Sequence, residues 1–350
     1  MGGIAIEGLA KTFNSTRVLH SIDLRIERGE FITLLGPSGC GKTTTLRCVA
    51  GLETPSAGRI RIGEDTVVDS ELADFTPPHR RRVGMVFQSY AIWPHMSARA
   101  NVEFPLRRRK QGSRAEQRAI AARALESVGM SAYAERYPHE LSGGQQQRIA
   151  LARGLVAAGE VMLYDEPLSN LDAKLRVAMR DEVRRLHDEF GHTSIYVTHD
   201  QEEALAISDR IVIMNAGRIE QSGTPQEIFD APATRYVADF IGFENILTVE
   251  EASGGIAVAG GIRFSGLPHA RPGNALAFRS GAVSPGAHDD AAATFDAPVA
   301  REVYLGEDVV LHLEVAGGPG VVARIPAQRR AQGLPERFHV DAADIAVLTA

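Results

Sequence analysis

The run Leu141-Ser142-Gly143-Gly144-Gln145 constrains this chain more than any other feature, because of what stands on either side of it. Before it comes Gly36-Pro37-Ser38-Gly39-Cys40-Gly41-Lys42-Thr43, a glycine-rich loop ending in Lys-Thr. That loop follows Phe31-Ile32-Thr33-Leu34-Leu35, which reads as a buried strand. A helix over about 42–50 should come next, with Gly51 as its C-terminal cap. After Gln145 comes Val161-Met162-Leu163-Tyr164-Asp165-Glu166-Pro167, an apolar strand ending in two carboxylates about twenty residues beyond it.

Each of the three elements has a chemical reading. In Gly36-x4-Gly41-Lys42-Thr43 the glycines let successive backbone N–H groups turn inward around phosphate oxygens. The helix N-terminus adds partial positive charge. Lys42 should meet the β- and γ-phosphates, and Thr43 should offer a hydroxyl to Mg²⁺. The candidate nucleotide segment is Gly36, Pro37, Ser38, Gly39, Cys40, Gly41, Lys42, Thr43 and Thr44. A carboxylate at a strand's carboxyl end beside such a loop can hold Mg²⁺ through water, and the next one can polarise an attacking water; these are Asp165 and Glu166. Ser142-x-x-Gln145 is a capping-box pattern opening a helix over about 143–155. The same helix start, with the bare amides of Gly143 and Gly144, is an anion site.

In this order and spacing the three elements resemble the nucleotide-binding subunit of an ATP-binding-cassette (ABC) transporter, and the resemblance covers the whole chain. It implies an α/β fold: a P-loop NTPase cassette of RecA-like core plus helical subdomain, followed by a small all-β OB-type (TOBE) domain. The implied bounds are 1–235 for the cassette, with its helical subdomain at about 88–155, and 240–350 for the TOBE extension. The implied cofactors are ATP and Mg²⁺. Asp165 then matches the Mg²⁺-holding aspartate and Glu166 the catalytic base. Gln88 matches the glutamine that touches Mg²⁺ or water, and His199 the switch histidine at the γ-phosphate. Asp172 matches the loop that crosses the dimer interface, and Phe13 stands where the family stacks an aromatic ring on adenine. Ser142, Gly143, Gly144 and Gln145 would meet the γ-phosphate held by a second copy, in a head-to-tail homodimer with two sandwiched ATP molecules.

Bulk properties narrow the class further. At 350 residues two domains are expected. A net charge of −6 gives no reason to expect nucleic-acid binding. No apolar run approaches the roughly 18–20 residues that cross a bilayer. Met1-Gly2-Gly3-Ile4 lacks the basic and apolar regions of a secretory signal, so a cytoplasmic chain is expected. Cys40 and Cys48, about 12 Å apart if helical, are beyond disulfide reach and read as small buried thiols. His79, His95, His139, His187 and His192 are isolated and read as surface or capping residues.

Elsewhere the pattern follows the same plan. Residues 4–35 read as short strands. Ser113-x-x-Glu116 opens a helix over about 114–128 in a basic neighbourhood, read either as a solvated face or as a face near anionic lipid. The runs 161–166, 193–198 and 210–214 alternate with helical segments, including 173–190 ended by Gly191 and one opened by Asp200 with Glu203. That alternation implies a largely parallel sheet. Residues 241–350 have no lysine and break into short strand-like runs such as Ile256–Ala259 and Val321–Ile325.

The resemblance also implies partners: two permease subunits or one two-domain permease, and indirectly a periplasmic or lipoprotein solute-binding protein. It places the chain peripherally on the cytoplasmic face of the inner membrane, as the ATPase of a bacterial binding-protein-dependent importer. Tyr90, Ile92, Trp93 and Met96 lie where the family receives a permease coupling helix, and packing within the helical region is the other reading. The Ile92-Trp93-Pro94 form slightly favours ferric iron as cargo, with polyamine, phosphonate or sugar open. A non-transport ABC ATPase is the alternative function. One departure stands out: relatives often have Arg-Pro-Glu where this chain has Arg279-Ser280-Gly281.

Overall fold

The structure is a computed structural model that describes residues 3–330 and 336–349; Met1 and Gly2 of the N-terminal stretch lie outside the described residues. Its contacts divide the chain into two compact units, 1–225 and 226–350. The first runs β1 (Ile4–Phe13), β2 (Thr16–Ile26), β3 (Phe31–Leu35), α1 (Lys42–Ala50), β4 (Ala57–Ile62), β5 (Asp65–Asp69), β6 (Asp74–Phe75), β7 (Val83–Val86), α2 (Ala98–Arg108), α3 (Arg114–Ser127), α4 (Gly143–Ala157), β8 (Val161–Asp165), α5 (Ala173–Phe190), β9 (Thr193–Thr198), α6 (Gln201–Ile207), β10 (Arg210–Asn215) and β11 (Arg218–Gly223).

The central sheet has the order β11-β10-β3-β9-β8-β7, parallel throughout except for β11 at the edge. Every residue of β3, β8 and β9 is buried. Strands covered on both faces read as unbroken apolar runs, which is why these three were visible in the sequence. A second, antiparallel sheet has the order β2-β1-β4-β5-β6. Between the sheets lies α1, whose Leu46, Cys48 and Val49 join Ile6, Leu19 and Ile60 on one side and Leu34, Leu163 and Val197 on the other. Cys40 and Cys48 are free and buried, and burial pushes the Cys48 thiol up to about 12.

Helix α1 stops where expected: Gly51 adopts φ 78° and its N–H returns to Arg47 and Cys48 carbonyls. A second device finishes the job. Arg81 is 3% exposed, and its guanidinium donates to the carbonyls of Cys48, Val49, Val67 and Thr76. It thereby satisfies the last carbonyls of α1 and ties that helix to the antiparallel sheet. Burial lowers its pKa to about 10.

Helices α2, α3 and α4 form a separate layer whose Val102, Ala121, Leu125 and Ile149 join Met162 and Tyr164 of β8. Helix α2 was not anticipated: Pro105 sits inside it and obscures its pattern, while Ser97 caps its start by accepting from Ala100 N–H. The first strands are also longer than anticipated, because β1 and β2 pair as a ten- and eleven-residue hairpin with bulges that break the alternation. Among the histidines, His79, His95 and His139 are exposed, but His187 corrects the surface reading. It is buried, its Nδ1 lies 3.0 Å from Ser194 Oγ and its ring meets Phe31 edge-on, so burial lowers its pKa.

The second unit carries α7 (Pro225–Asp230, which begins at the boundary) and α8 (Arg235–Phe240), then β12 (Asn245–Ser253), β13 (Ile256–Ala259), β14 (Ile262–Phe264), β15 (Ala275–Phe278), β16 (Ser284–Pro285), β17 (Ala293–Asp296), β18 (Val299–Tyr304), β19 (Asp308–Leu313), β20 (Val321–Pro326), β21 (Arg337–Val340) and β22 (Ala346–Leu348). Three antiparallel sheets, β14-β13-β12-β15-β22, β16-β21-β17 and β18-β19-β20, share one apolar core. Buried Asn245 bridges two of them, donating to the Val322 carbonyl and accepting from its N–H. Arg279 and Ser280, the departure noted above, have structural partners here. Ser280 donates twice to Glu244, and the Arg279 guanidinium stacks on Phe229 and Phe243.

Replacing Arg81 by Met takes the donor from the buried Val49 carbonyl at the end of α1 and from the Thr76 carbonyl. We expect the first unit to lose about 2–4 kcal/mol. Urea unfolding followed by the fluorescence of Trp93, the one tryptophan, measures it. An unchanged midpoint would refute the role.

Candidate nucleotide-binding and hydrolysis site

Parallel register assembles the site. Leu35 of β3 lies opposite Thr198 of β9, and Val197 opposite Asp165 of β8. The segments that leave these strands, 36–41, 166–172 and 199–200, therefore emerge at one level at the carboxyl edge of the sheet, the usual ligand crevice of such folds.

The loop 36–41 is built around backbone that tolerates no side chain at two points. A Cβ on Gly36 would stand 2.2 Å from the Met214 carbonyl oxygen. Gly41, at φ +105°, would place one 2.5 Å from Leu19. The β10–β11 turn braces the loop from outside, where Gly217 N–H donates to the Cys40 carbonyl at 3.0 Å. Pro37, Ser38 and Gly39 are exposed, and Thr44 is half-buried in the first turn of α1. Lys42 is 4% exposed, and its ammonium donates to the Gly36 and Pro37 carbonyls at 2.7 and 2.9 Å.

Beside it, Thr43 Oγ1 donates to Asp165 Oδ1 at 3.1 Å, and Arg47 reaches Asp165 Oδ2 at 3.4 Å. Asp165 is 3% exposed, and burial raises its pKa against the pull of those two partners. Glu166 has φ +45°, a left-handed conformation uncommon for a residue with a side chain. That turn sends its carboxylate away from β8, to within 3.4 Å of His199 Nδ1. Its backbone stays tied, since its N–H donates to Val197 O and its carbonyl accepts from Ser169 Oγ. Sparsely populated backbone of this kind concentrates at functional sites.

His199 is exposed, on a segment fixed from below. Asp200 N–H donates to Thr198 Oγ1, whose hydroxyl donates to Glu203 at 2.8 Å. Glu203 also accepts from the Tyr196 hydroxyl at 2.9 Å. This corrects the capping-box reading of Asp200 and Glu203: Asp200 does cap α6, but the Glu203 carboxylate turns inward and returns no bond. Burial raises its pKa.

The remaining candidates sit as follows. Gln88 is exposed, just beyond β7, and its carbonyl accepts from Asn170 Nδ2 at 2.9 Å. Asp172 is the N-cap of α5, accepting from Leu175 N–H. Phe13 is 40% exposed with the Lys11 ammonium 4.5 Å from its ring centroid. Ser142 and Gln145 form the full capping box at the start of α4, with both reciprocal bonds present. Ser142 and Gly143 are exposed, and Gly144 allows the close approach of Leu175. Among the described residues no hydrogen bond or ion pair joins Ser142–Gln145 to the phosphate loop. One chain thus places Lys42, Thr43, Asp165, Glu166 and His199 together, and among the described residues no hydrogen bond or ion pair ties them to the α4 terminus.

Near Gln88, Tyr90 and Ile92 pack against the helical-layer core, whereas Trp93 lines an open groove with Phe87 and Phe104. The Trp93 and Phe104 ring centroids are 4.2 Å apart.

Known proteins place this geometry. An ABC transporter family model matches residues 19–169, and a TOBE domain model matches 275–348. The Fe(3+) ions import ATP-binding protein FbpC of Brucella abortus (strain 2308) is 44% identical over 343 residues, covering 93% of this chain and 94% of that protein. The protein of the same name in Rhizobium etli is 46% identical over 325 residues, covering 91% and 89%. The chain belongs to the ABC transporter family. It is an ATP-binding, ATP-hydrolysing subunit of the import type with a C-terminal TOBE domain. The spermidine/putrescine import ATP-binding protein PotA of Thermobifida fusca is 53% identical over 249 residues, covering 70% of this chain and 63% of that protein. A solved dimeric ATP-binding cassette in a post-hydrolysis state with ADP and Pi is 31% identical at TM-score 0.55, covering 63% of this chain and 98% of that one.

Several residues that shape this ATPase site carried no sequence signal. Arg47 acts through the Asp165 carboxylate, and Arg153, Gln147 and Asn170 act through distant backbone. Gln147 donates to the Pro167 carbonyl, and buried Arg153 donates to those of Tyr90 and Ala91. Only the fold shows such pairings.

Asp165 also sets a pH dependence. Its folded pKa lies above the unfolded one, so the native state holds the extra proton. The stability this group supplies is present below the ordinary carboxylate range and is lost as pH rises through the folded value. Asp165→Asn removes that loss. In calorimetry the nucleotide-free variant should melt higher than wild type at about pH 7.5, the gap shrinking toward about pH 4. A lower melting point at both pH values would sink the argument.

Proposed function

We propose that this chain powers a binding-protein-dependent importer as a head-to-tail homodimer on the cytoplasmic face of the inner membrane. Each nucleotide lies between the phosphate loop of one copy and the Ser142–Gln145 helix start of the other. The observation that carries this reading is the divided site: the catalytic groups cluster in one place, and an exposed, capped anion site is bonded to none of them among the described residues. The solved relatives that share the cassette are described as dimeric, which supports it.

The oxygen-only set of Thr43 hydroxyl and Asp165 carboxylate fits Mg²⁺, a hard cation. Burial of the Asp165 carboxylate, which raises its pKa, is a cost that a cation held there would offset. When bound, Mg²⁺ would neutralise charge on the β- and γ-phosphoryl oxygens.

The chain's own residues do the rest. Phe13 stacks on adenine. Lys42 exchanges its two carbonyl partners for phosphate oxygens. Glu166 accepts the proton of the attacking water, and Gln88 helps orient that water. His199 steadies both Glu166 and the γ-phosphoryl group. Ser142, Gly143 and Gly144 of the second copy close over that group, with Asp172 at the crossing. The Trp93 groove receives a helix of the permease, which is two subunits or one two-domain chain. A solute-binding protein delivers the cargo on the other side.

Ferric iron is the favoured cargo, because relatives spanning nine-tenths of the chain are named for it. The polyamine-named relative matches a shorter stretch. Deleting the coding sequence in the native host and measuring uptake tests this. Loss of ferric-iron uptake with spermidine uptake intact is expected, and the reverse would assign a polyamine.

Two variants test the engine. Glu166→Gln should keep ATP binding and cut turnover at least about a hundredfold, since a positioned base contributes roughly 10²–10⁴. Ser142→Arg should leave ATP binding to the chain unchanged and lower ATPase activity by blocking closure. Near-normal turnover in either variant would remove the corresponding assignment.

A further inference from the structure

A second cluster of ligand-type side chains lies in the second unit, outside every site described above. His288, His339 and Asp341 each present one nitrogen or oxygen, and the three atoms lie within 4.8 Å of one another. His339 and Asp341 are two residues apart at the end of β21, the spacing that puts side chains on one face of a strand. Opposite His339 is Ser284 of β16. Gly286 then turns the chain at φ +94° and brings His288 back over β21.

We propose that His288, His339 and Asp341 bind a divalent first-row transition-metal ion. Three features support a built site. His339 Nδ1 lies 3.0 Å from the Gly286 carbonyl oxygen. A carbonyl only accepts, so Nδ1 carries the proton and Nε2 keeps its lone pair. This is the outer hydrogen bond that orients a metal-binding imidazole and fixes its tautomer. Next, although the Asp341 side chain is about half-exposed, its Oδ1 is shielded from solvent and has no hydrogen-bond partner among the described residues. Asp341 also stands at the start of the turn Ala342–Asp344, where its side chain ordinarily caps, yet it makes no cap bond. The carboxylate oxygen is instead 3.4 Å from His288 Nδ1. That separation is about the ligand–ligand edge of a tetrahedral site with bonds of roughly 2.0–2.1 Å.

The donor set selects the ion class. Two imidazoles and one carboxylate suit Zn²⁺ and its neighbours, with water completing the coordination. Mg²⁺ and Ca²⁺ prefer oxygen-only sets, so the nucleotide's Mg²⁺ does not compete. Binding would fasten the 286–291 turn to β21.

The test uses the full-length, chelator-treated, nucleotide-free chain and Zn²⁺ alone, titrated in competition with a chromophoric chelator. Wild type should bind one more Zn²⁺ per chain than His339→Ala or Asp341→Asn, with affinity at that site reduced at least about tenfold, as loss of a ligand demands. His288→Ala keeps the proposal testable if a β21 variant fails to fold, because His288 is half-exposed on a turn. Co²⁺ should give a tetrahedral visible spectrum in wild type and not in the variants. Basal ATPase activity should be unchanged in all three. Equal Zn²⁺ stoichiometry and affinity in wild type and His288→Ala would overturn the site, as would a tenfold preference for Mg²⁺ over Zn²⁺.

Discussion

The parallel register of β3, β9 and β8 is the constraint on which the rest of the first unit depends. It aligns Leu35, Thr198 and Asp165 at one edge, so three loops that are far apart in sequence open toward one volume. The strands are buried on both faces, so this register is held by the hydrophobic core, not by polar contacts that a ligand would disturb. A slip of one residue would turn every core side chain to the wrong face, so the register is strongly specified.

That rigid frame lets the site hold groups in unfavourable states. Asp165 is a buried carboxylate with a hydroxyl and a half-exposed arginine beside it. Glu166 keeps a left-handed backbone, and Glu203 is buried under the segment that carries His199. Each is less stable than the same group in water or in ordinary backbone, and packing elsewhere offsets the cost. A cation and a polyphosphate would relieve the first of these conditions.

Polar links join the nucleotide edge to the helical layer. Asn170 binds the Gln88 carbonyl, Gln147 binds that of Pro167, and Arg153 binds those of Tyr90 and Ala91 beside the Trp93 groove. Tyr90 and Ala91 both have positive φ, so Arg153 secures a bend the chain would not hold alone. The segment facing the groove is therefore bonded into the same layer that presents Ser142. In the second unit, stacking of Arg279 between Phe229 and Phe243 gives the Arg279-Ser280-Gly281 departure a packing role of its own.

Much of this molecule was legible before any coordinates. Buried parallel strands declare themselves as apolar runs, and capping boxes and αL glycines mark helix ends within a residue or two, as at Ser113, Ser142, Gly51 and Gly191. The phosphate loop was legible because its chemistry needs fixed residues at fixed local spacing. Helix α2 was hidden by Pro105, and the inward turn of Glu203 by a pattern that fits a cap equally well. Sequence alone pointed to most of the elements and to the nucleotide chemistry, since these are set by interactions within a few residues. Tertiary structure alone decided that Arg81 closes α1, that Thr43 reaches Asp165, and that His288 meets His339 and Asp341. Those pairings span tens of residues or more, and only the folded sheets bring their backbones within bonding distance.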